Sequence, residues 1–183
     1  MNRIFRIILY LILINISVAQ SLESSFPFGY SVFDSLSFDY NKDKILDKIL
    51  VFDNVVNTRD TLYWRSLDRP FIILKGIDNQ NFELAVRNDS LIIDREFGGM
   101  GGDPYNEIFV SDSSIYIHYF ARTGWYWSKL LEFIFNPNKN MWYLRKYEYS
   151  EGSINSLDSA SYYEQKDFDE IDSLAINNYN WKK

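Results

Sequence analysis

The chain contains no cysteine, one histidine, four prolines and eight glycines in 183 residues. Without cysteine there is no disulfide, thiol nucleophile or thiolate metal site, so the core alone must hold the fold. The single histidine, His118, excludes metal centres built on several imidazoles and leaves a Ser-His-Asp arrangement unsupported. Basic charge is also scarce: 19 Lys and Arg stand against 25 Asp and Glu, a net charge of −6. Nucleic acid and anionic membrane surfaces are bound by basic patches, so this balance argues against both as partners.

Long hydrophobic runs are absent beyond the first twenty residues. Arg3 and Arg6 precede the apolar stretch Ile7–Ile16, and Ser17-Val18-Ala19 supplies small residues for cleavage. The pattern is that of a signal peptide over residues 1–19, too short to span a bilayer, with Gln20 as the mature N-terminus. Export to the periplasm or beyond is the expected address, with no membrane span after cleavage. Removing Arg3 and Arg6 makes the mature chain more acidic still. What remains is enough for one domain with a substantial core.

Aromatic residues are what the chain has in excess, at 18 %, and rings favour pleated, half-buried surfaces. Short apolar runs recur at Ile49–Phe52, Phe71–Leu74, Phe82–Val86, Leu91–Ile93, Ile108–Val110, Ile115–Phe120, Trp125–Phe135 and Met141–Tyr149. Turn residues separate them at Gly76–Asn81, Asn88-Asp89, Asp112-Ser113 and Asn136–Asn140. The expectation is a single, mostly β, antiparallel domain of about eight strands over residues 38–150. Residues 20–37 read as an extended lead-in, residues 53–68 as a loop with a helical turn at Tyr63-Trp64, and residues 151–183 as a polar, frayed tail.

One stretch carries recognisable chemistry. Asp39, Asn41, Asp43 and Asp47 place oxygens at relative positions 1, 3, 5 and 9. A curled loop with that spacing can aim them at one centre, with a backbone carbonyl near Ile45, and hard Ca²⁺ takes six to eight such ligands. An EF-hand would continue as a helix with Glu at position 12. Here position 12 is Leu50 and a strand follows, so the pattern reads as a calcium loop feeding a β-strand. Lys44 stands where glycine usually makes the turn, at a cost of roughly 1 kcal/mol or more. The competing reading is an Asx-stabilised turn with no metal.

The loop, Arg69-Pro70-Phe71, Leu84–Asp89, Phe97–Met100, Gly102-Asp103-Pro104, His118-Tyr119 and Trp125-Tyr126-Trp127 occur in this order. Together they resemble small exported bacterial proteins of the FG-GAP-like or VCBS-repeat type. The resemblance implies a calcium loop and no catalytic activity. Where that group has Gly after Tyr119, this chain has Phe120-Ala121-Arg122-Thr123-Gly124.

Other candidates have a structural reading beside the functional one. His118 shares a strand face with Tyr116 and Phe120 and reads as a packed or rim residue. The Gly98–Gly102 stretch could cradle an anion but lacks the Gly-Lys-Ser/Thr ending of a phosphate loop, so it reads as a crossing between β-layers. Asp103 with Glu96 or Glu107 could serve a glycoside hydrolase, or simply be solvated loop charges. Trp125 and Trp127 share one strand face and, with Tyr119, could form a carbohydrate platform or merely pack the sheet. The expected function is a non-enzymatic exported module that binds a protein or glycan and carries one structural calcium. Carbohydrate binding and hydrolysis are the alternatives.

Overall fold

The computed structural model describes residues 26–54, 68–78, 80–156, 161–169 and 174–180. The signal segment and the Tyr63-Trp64 turn expected from the sequence lie outside the described residues. Among the described residues nine strands form two antiparallel sheets. The first holds β1 (Tyr30–Phe38), β2 (Asp47–Asn54), β3 (Arg69–Gly76) and β4 (Phe82–Ile92) in that order. The second holds β5 (Tyr105–Ser111), β6 (Ser114–Arg122), β7 (Trp125–Asn136), β8 (Met141–Ser153) and β9 (Tyr162–Asp167), again in chain order. The mostly β, antiparallel single domain expected from the sequence is what forms.

The continuous apolar runs in β2 and β3 bury both faces, as runs without alternation should. Ile49, Val51, Phe71 and Ile73 face the second sheet and join Ile115, Ile117, Leu131 and Phe133 in one core. Leu50, Phe52, Ile72 and Leu74 form a second cluster on the opposite face with Phe26, Tyr30 and Phe82. At roughly 25 cal/mol per Å² of buried apolar area, that shared core is the main stabilising term in a chain without disulfides.

Three expectations are corrected. Residues 30–38 are not a lead-in but edge strand β1, whose alternation is interrupted by a bulge between Val32 and Asp34. Asn88-Asp89 is not a hairpin turn: both lie within the unbroken strand β4. The Asn88 side chain instead donates to the carbonyls of Ile176 and Tyr179, the latter at 2.8 Å, and accepts from the Ser90 N–H at 2.7 Å. Those bonds dock the tail, which therefore does not fray over its described part. Ile176 and Tyr179 are buried, and β9 adds a fifth strand through Glu151↔Tyr162 to Lys146↔Asp167.

Among the described strands the change of sheet runs through residues 93–104, with a 3₁₀ segment at Arg95–Gly101 opened by the Asp94 carboxylate accepting from the Glu96 N–H. The crossing lies so close to β6 that a Cβ on Gly101 would meet the Arg122 carbonyl at 2.7 Å. The glycine-rich stretch thus serves as the crossing between layers.

Candidate functional site

The 39–47 loop is anchored from below by its second residue. Tyr40 is buried with Phe38 and Trp142 and packs against half-buried Phe135, its ring 4.6 Å from Phe135 and 5.2 Å from Trp142. Burial and the nearby Asp47 push its hydroxyl up to about 12. Asp47, 0 % exposed, is the strut: its Oδ2 accepts from the Tyr40 N–H at 3.0 Å and its Oδ1 from the Gly76 N–H at 2.9 Å. Burial raises its pKa, two N–H donors pull it back, and Asp43 and Asp39 raise it further; the net direction is up. Gly76 has no room for a side chain, since a Cβ would come within 2.5 Å of Ile45 and 2.6 Å of the Leu46 carbonyl.

Above that strut the loop curls tightly. Asp39 accepts from the N–H groups of Asp43 and Lys44 at 3.1 and 2.8 Å, Asn41 from Asp43 at 3.1 Å, and Asp43 from Ile45 at 2.8 Å. The Asn41 amide donates to Asp43 Oδ2 at 2.7 Å. Lys42 and Lys44 both adopt left-handed backbone, with φ of 61° and 70°. Asp39, Asn41 and Asp43 are thus brought together, while Asp47 sits at the base with both oxygens engaged by backbone. Among the described residues no group of three or more His, Cys, Asp or Glu side chains is placed to hold a metal ion.

The carboxylates proposed for hydrolysis are separated. Asp103 turns inward, accepting from Arg69 Nη1 at 2.8 Å and the Tyr105 N–H at 2.9 Å. Arg69 is 1 % exposed; Asp53 lies 3.6 Å from its Nη2, and the guanidinium stands 4.6 Å from the Phe33 ring. Arg95 closes on Asp53 from outside. Tyr105 donates its hydroxyl to Asp34 at 2.7 Å, and burial with that bond raises the phenol. These ties join β1, β2, β3, the crossing and β5. Glu107 instead lies on the outward face, 3.9 Å from His118 Nδ1, and Glu96 is exposed. His118 packs at the rim between Asn106, 3.1 Å from Nδ1, and Ser128, 3.0 Å from Nε2.

The three aromatic candidates part company as well. Tyr119 is fully buried and donates its hydroxyl to the Leu91 carbonyl at 2.9 Å, so it belongs to the core rather than to a ligand platform. Trp127 is half-buried, with Phe97 of the crossing edge-on at 6.0 Å. Trp125 is 61 % exposed at the start of β7. Registry shows what else shares their face: Trp127 opposes Glu151, Lys129 opposes Tyr149, and Leu131 opposes Tyr147. On β9, Tyr162, Glu164 and Lys166 oppose Glu151, Tyr149 and Tyr147. Sequence reasoning missed the β8 and β9 members, because only the pairing of β8 with β9 reveals the common face.

Comparison of the chain with protein families, curated proteins and solved structures finds no match. Among the described residues no helix is long and apolar enough to cross a membrane.

Proposed function

We propose that the protein is a non-enzymatic exported β-module that acts by binding, with Ca²⁺ stiffening its 39–47 loop. The observation that carries the reading is the pair of left-handed lysines, Lys42 and Lys44. Each costs roughly 1–2 kcal/mol in that conformation, and strain of this kind is kept where surrounding structure demands a particular loop shape. The shape held is one that gathers Asp39, Asn41 and Asp43 above a buried Asp47 strut. Asp39, Asn41 and Asp43 would hold the ion, with a backbone carbonyl and water completing a hard oxygen shell. Few charged ligands and two nearby lysines place such a site in the weak, millimolar class of extracellular modules. The ion would supply rigidity where the chain enters β2.

The test is a thermal melt of the mature protein in Ca²⁺ against excess chelator, repeated with Asp43→Ala. At free Ca²⁺ tenfold above the dissociation constant, binding to the folded state alone adds about 1.4 kcal/mol. For a domain of this size that is a rise of roughly 3–6 °C, abolished in Asp43→Ala. Coincident melts would reduce the loop to an Asx-stabilised turn. Export rests on residues 3–19 and is checked by N-terminal sequencing of the exported protein, which should begin at or near Gln20.

A further inference from the structure

We propose that the face of the five-stranded sheet carrying Trp127, Tyr149 and Tyr162, half-buried on β7 and β8 and exposed on β9, is a platform for a neutral polysaccharide chain. The inference rests on the binding-module reading and names the partner's chemistry. Period-two alternation puts this face in line with Leu131 and Phe133 of the core, yet no residue of β9 is buried and Tyr162 is 48 % exposed. An open face continuous with a core should carry solvated polar residues; this one carries rings.

The rings are spaced and held. Tyr149 and Tyr162 stand with centroids 6.2 Å apart, and Tyr149 donates its hydroxyl to Glu151 Oε2 at 2.7 Å. Burial and that bond raise the Tyr149 phenol, so it stays a donor across the physiological range. Adjacent strands lie about 4.8 Å apart, so Trp127 on β7 and Tyr162 on β9 are separated by roughly 10 Å, the span of about two sugar rings. Flat rings suit the C–H face of a pyranose, and tyrosine offers an apolar body with a polar tip. Between the rings, Glu151 and Glu164 supply acceptors for hydroxyl groups.

Charge selects the class. Two carboxylates, Glu151 and Glu164, are matched by two ammonium groups, Lys129 and Lys166. Lys166 pairs with Glu164 at 2.7 Å, and Lys129 lies 5.4 Å from the Tyr147 ring and 5.6 Å from Tyr179. On a chain with a net charge of −6, this balanced face attracts neither a polyanion nor a polycation. A peptide side chain would need apolar pockets; here the apolar surface is a row of ring faces interrupted by carboxylates.

The experiment is affinity electrophoresis of the mature protein in native gels containing hydroxyethylcellulose, galactomannan or soluble starch, with polygalacturonate as the anionic control. At least one neutral polymer should retard the protein, and retardation should weaken tenfold or more in Tyr162→Ala and in Glu151→Gln while the melting temperature moves by no more than about 2 °C. Retardation by none of the three neutral polymers, or by polygalacturonate alone, overturns the platform. So does full retardation of both variants. A dimer in size-exclusion chromatography that disappears in Tyr162→Ala would make the face a self-interface and overturn it too. A protein that melts higher in Ca²⁺ yet ignores the neutral polymers keeps the module reading and loses the platform alone.

Discussion

Strands β7 and β8 present one face in two environments. Under the four-stranded sheet that face is Leu131, Phe133, Trp142 and Leu144, all buried. Further along the same strands it is Trp127, Lys129, Tyr149 and Glu151, all half-buried. The backbone ladder does not change character between them: each pairing from Trp125↔Ser153 to Asn136↔Met141 is antiparallel, with one bulge at Glu132/Phe133. Alternation therefore decides which side a residue faces, and what lies opposite decides whether that residue is aliphatic, aromatic or charged.

Breaking the covered half should have the largest effect. Phe133→Ala removes a fully buried ring that packs edge-on against Tyr179 at 5.9 Å. It should cost about 3–5 kcal/mol in denaturant unfolding, since the cavity adds to the lost transfer energy. Tyr162→Ala, on the open half, should change stability by only about 0.5 kcal/mol. Equal losses would mean that the two halves are one core after all.

A smaller effect tests how the loop is fastened to the covered half. Asp47→Ala leaves the N–H groups of Tyr40 and Gly76 without their acceptor in a buried site. Unmade bonds of that kind cost about 1–3 kcal/mol each, so a loss of about 2–4 kcal/mol is expected. Chelator should destabilise this variant less than the parent, because the loop has already lost its base.

An effect smaller than that of Asp47→Ala lies on the boundary between the halves. Burial lowers the Lys129 amine from 10.5 to about 8, so the folded state holds that proton less tightly than the unfolded one. The penalty is complete below pH 8 and is relieved as pH rises toward 10.5, across which stability should increase. Lys129→Met should therefore stabilise the protein at pH 7 by about 1 kcal/mol, allowing for partial solvation, and flatten that rise. A variant no more stable than the parent at pH 7 would mean that the tyrosine rings offset the burial of the charge.

Much of the covered half was legible in the chain. Ile49–Phe52 and Phe71–Leu74 are apolar runs with no alternation, and both became strands buried on two faces. The turns at Asp112-Ser113 and Asn136–Asn140 fell where expected, with Asp112 and Asn140 in left-handed backbone. The open half was harder to read for a physical reason. Edge strand β9, Tyr-Tyr-Glu-Gln-Lys-Asp, is solvated on both sides, so its sequence has no period to detect. Asn88-Asp89 misled because local turn propensity yielded to a contact with Ile176, 88 residues away. Of the candidate site, Trp127 and the loop oxygens were visible as spacing. Tyr149, Glu151 and Tyr162 were not, because their common face exists only once β8 and β9 pair.

The order of the strands has a consequence for how the molecule comes into being. In both sheets every strand pairs with its neighbour along the chain, so each ladder can zip outward from a hairpin by closing short loops, for which the entropic cost is low. Sandwiches whose strands return from distant parts of the chain must find long-range partners first and fold slowly. Here the non-local events are the docking of the tail on Asn88 and the meeting of two finished ladders across residues 93–104. Arg69 with Asp103 and Tyr105 with Asp34 are the contacts that register it, which makes that corner the latch of assembly.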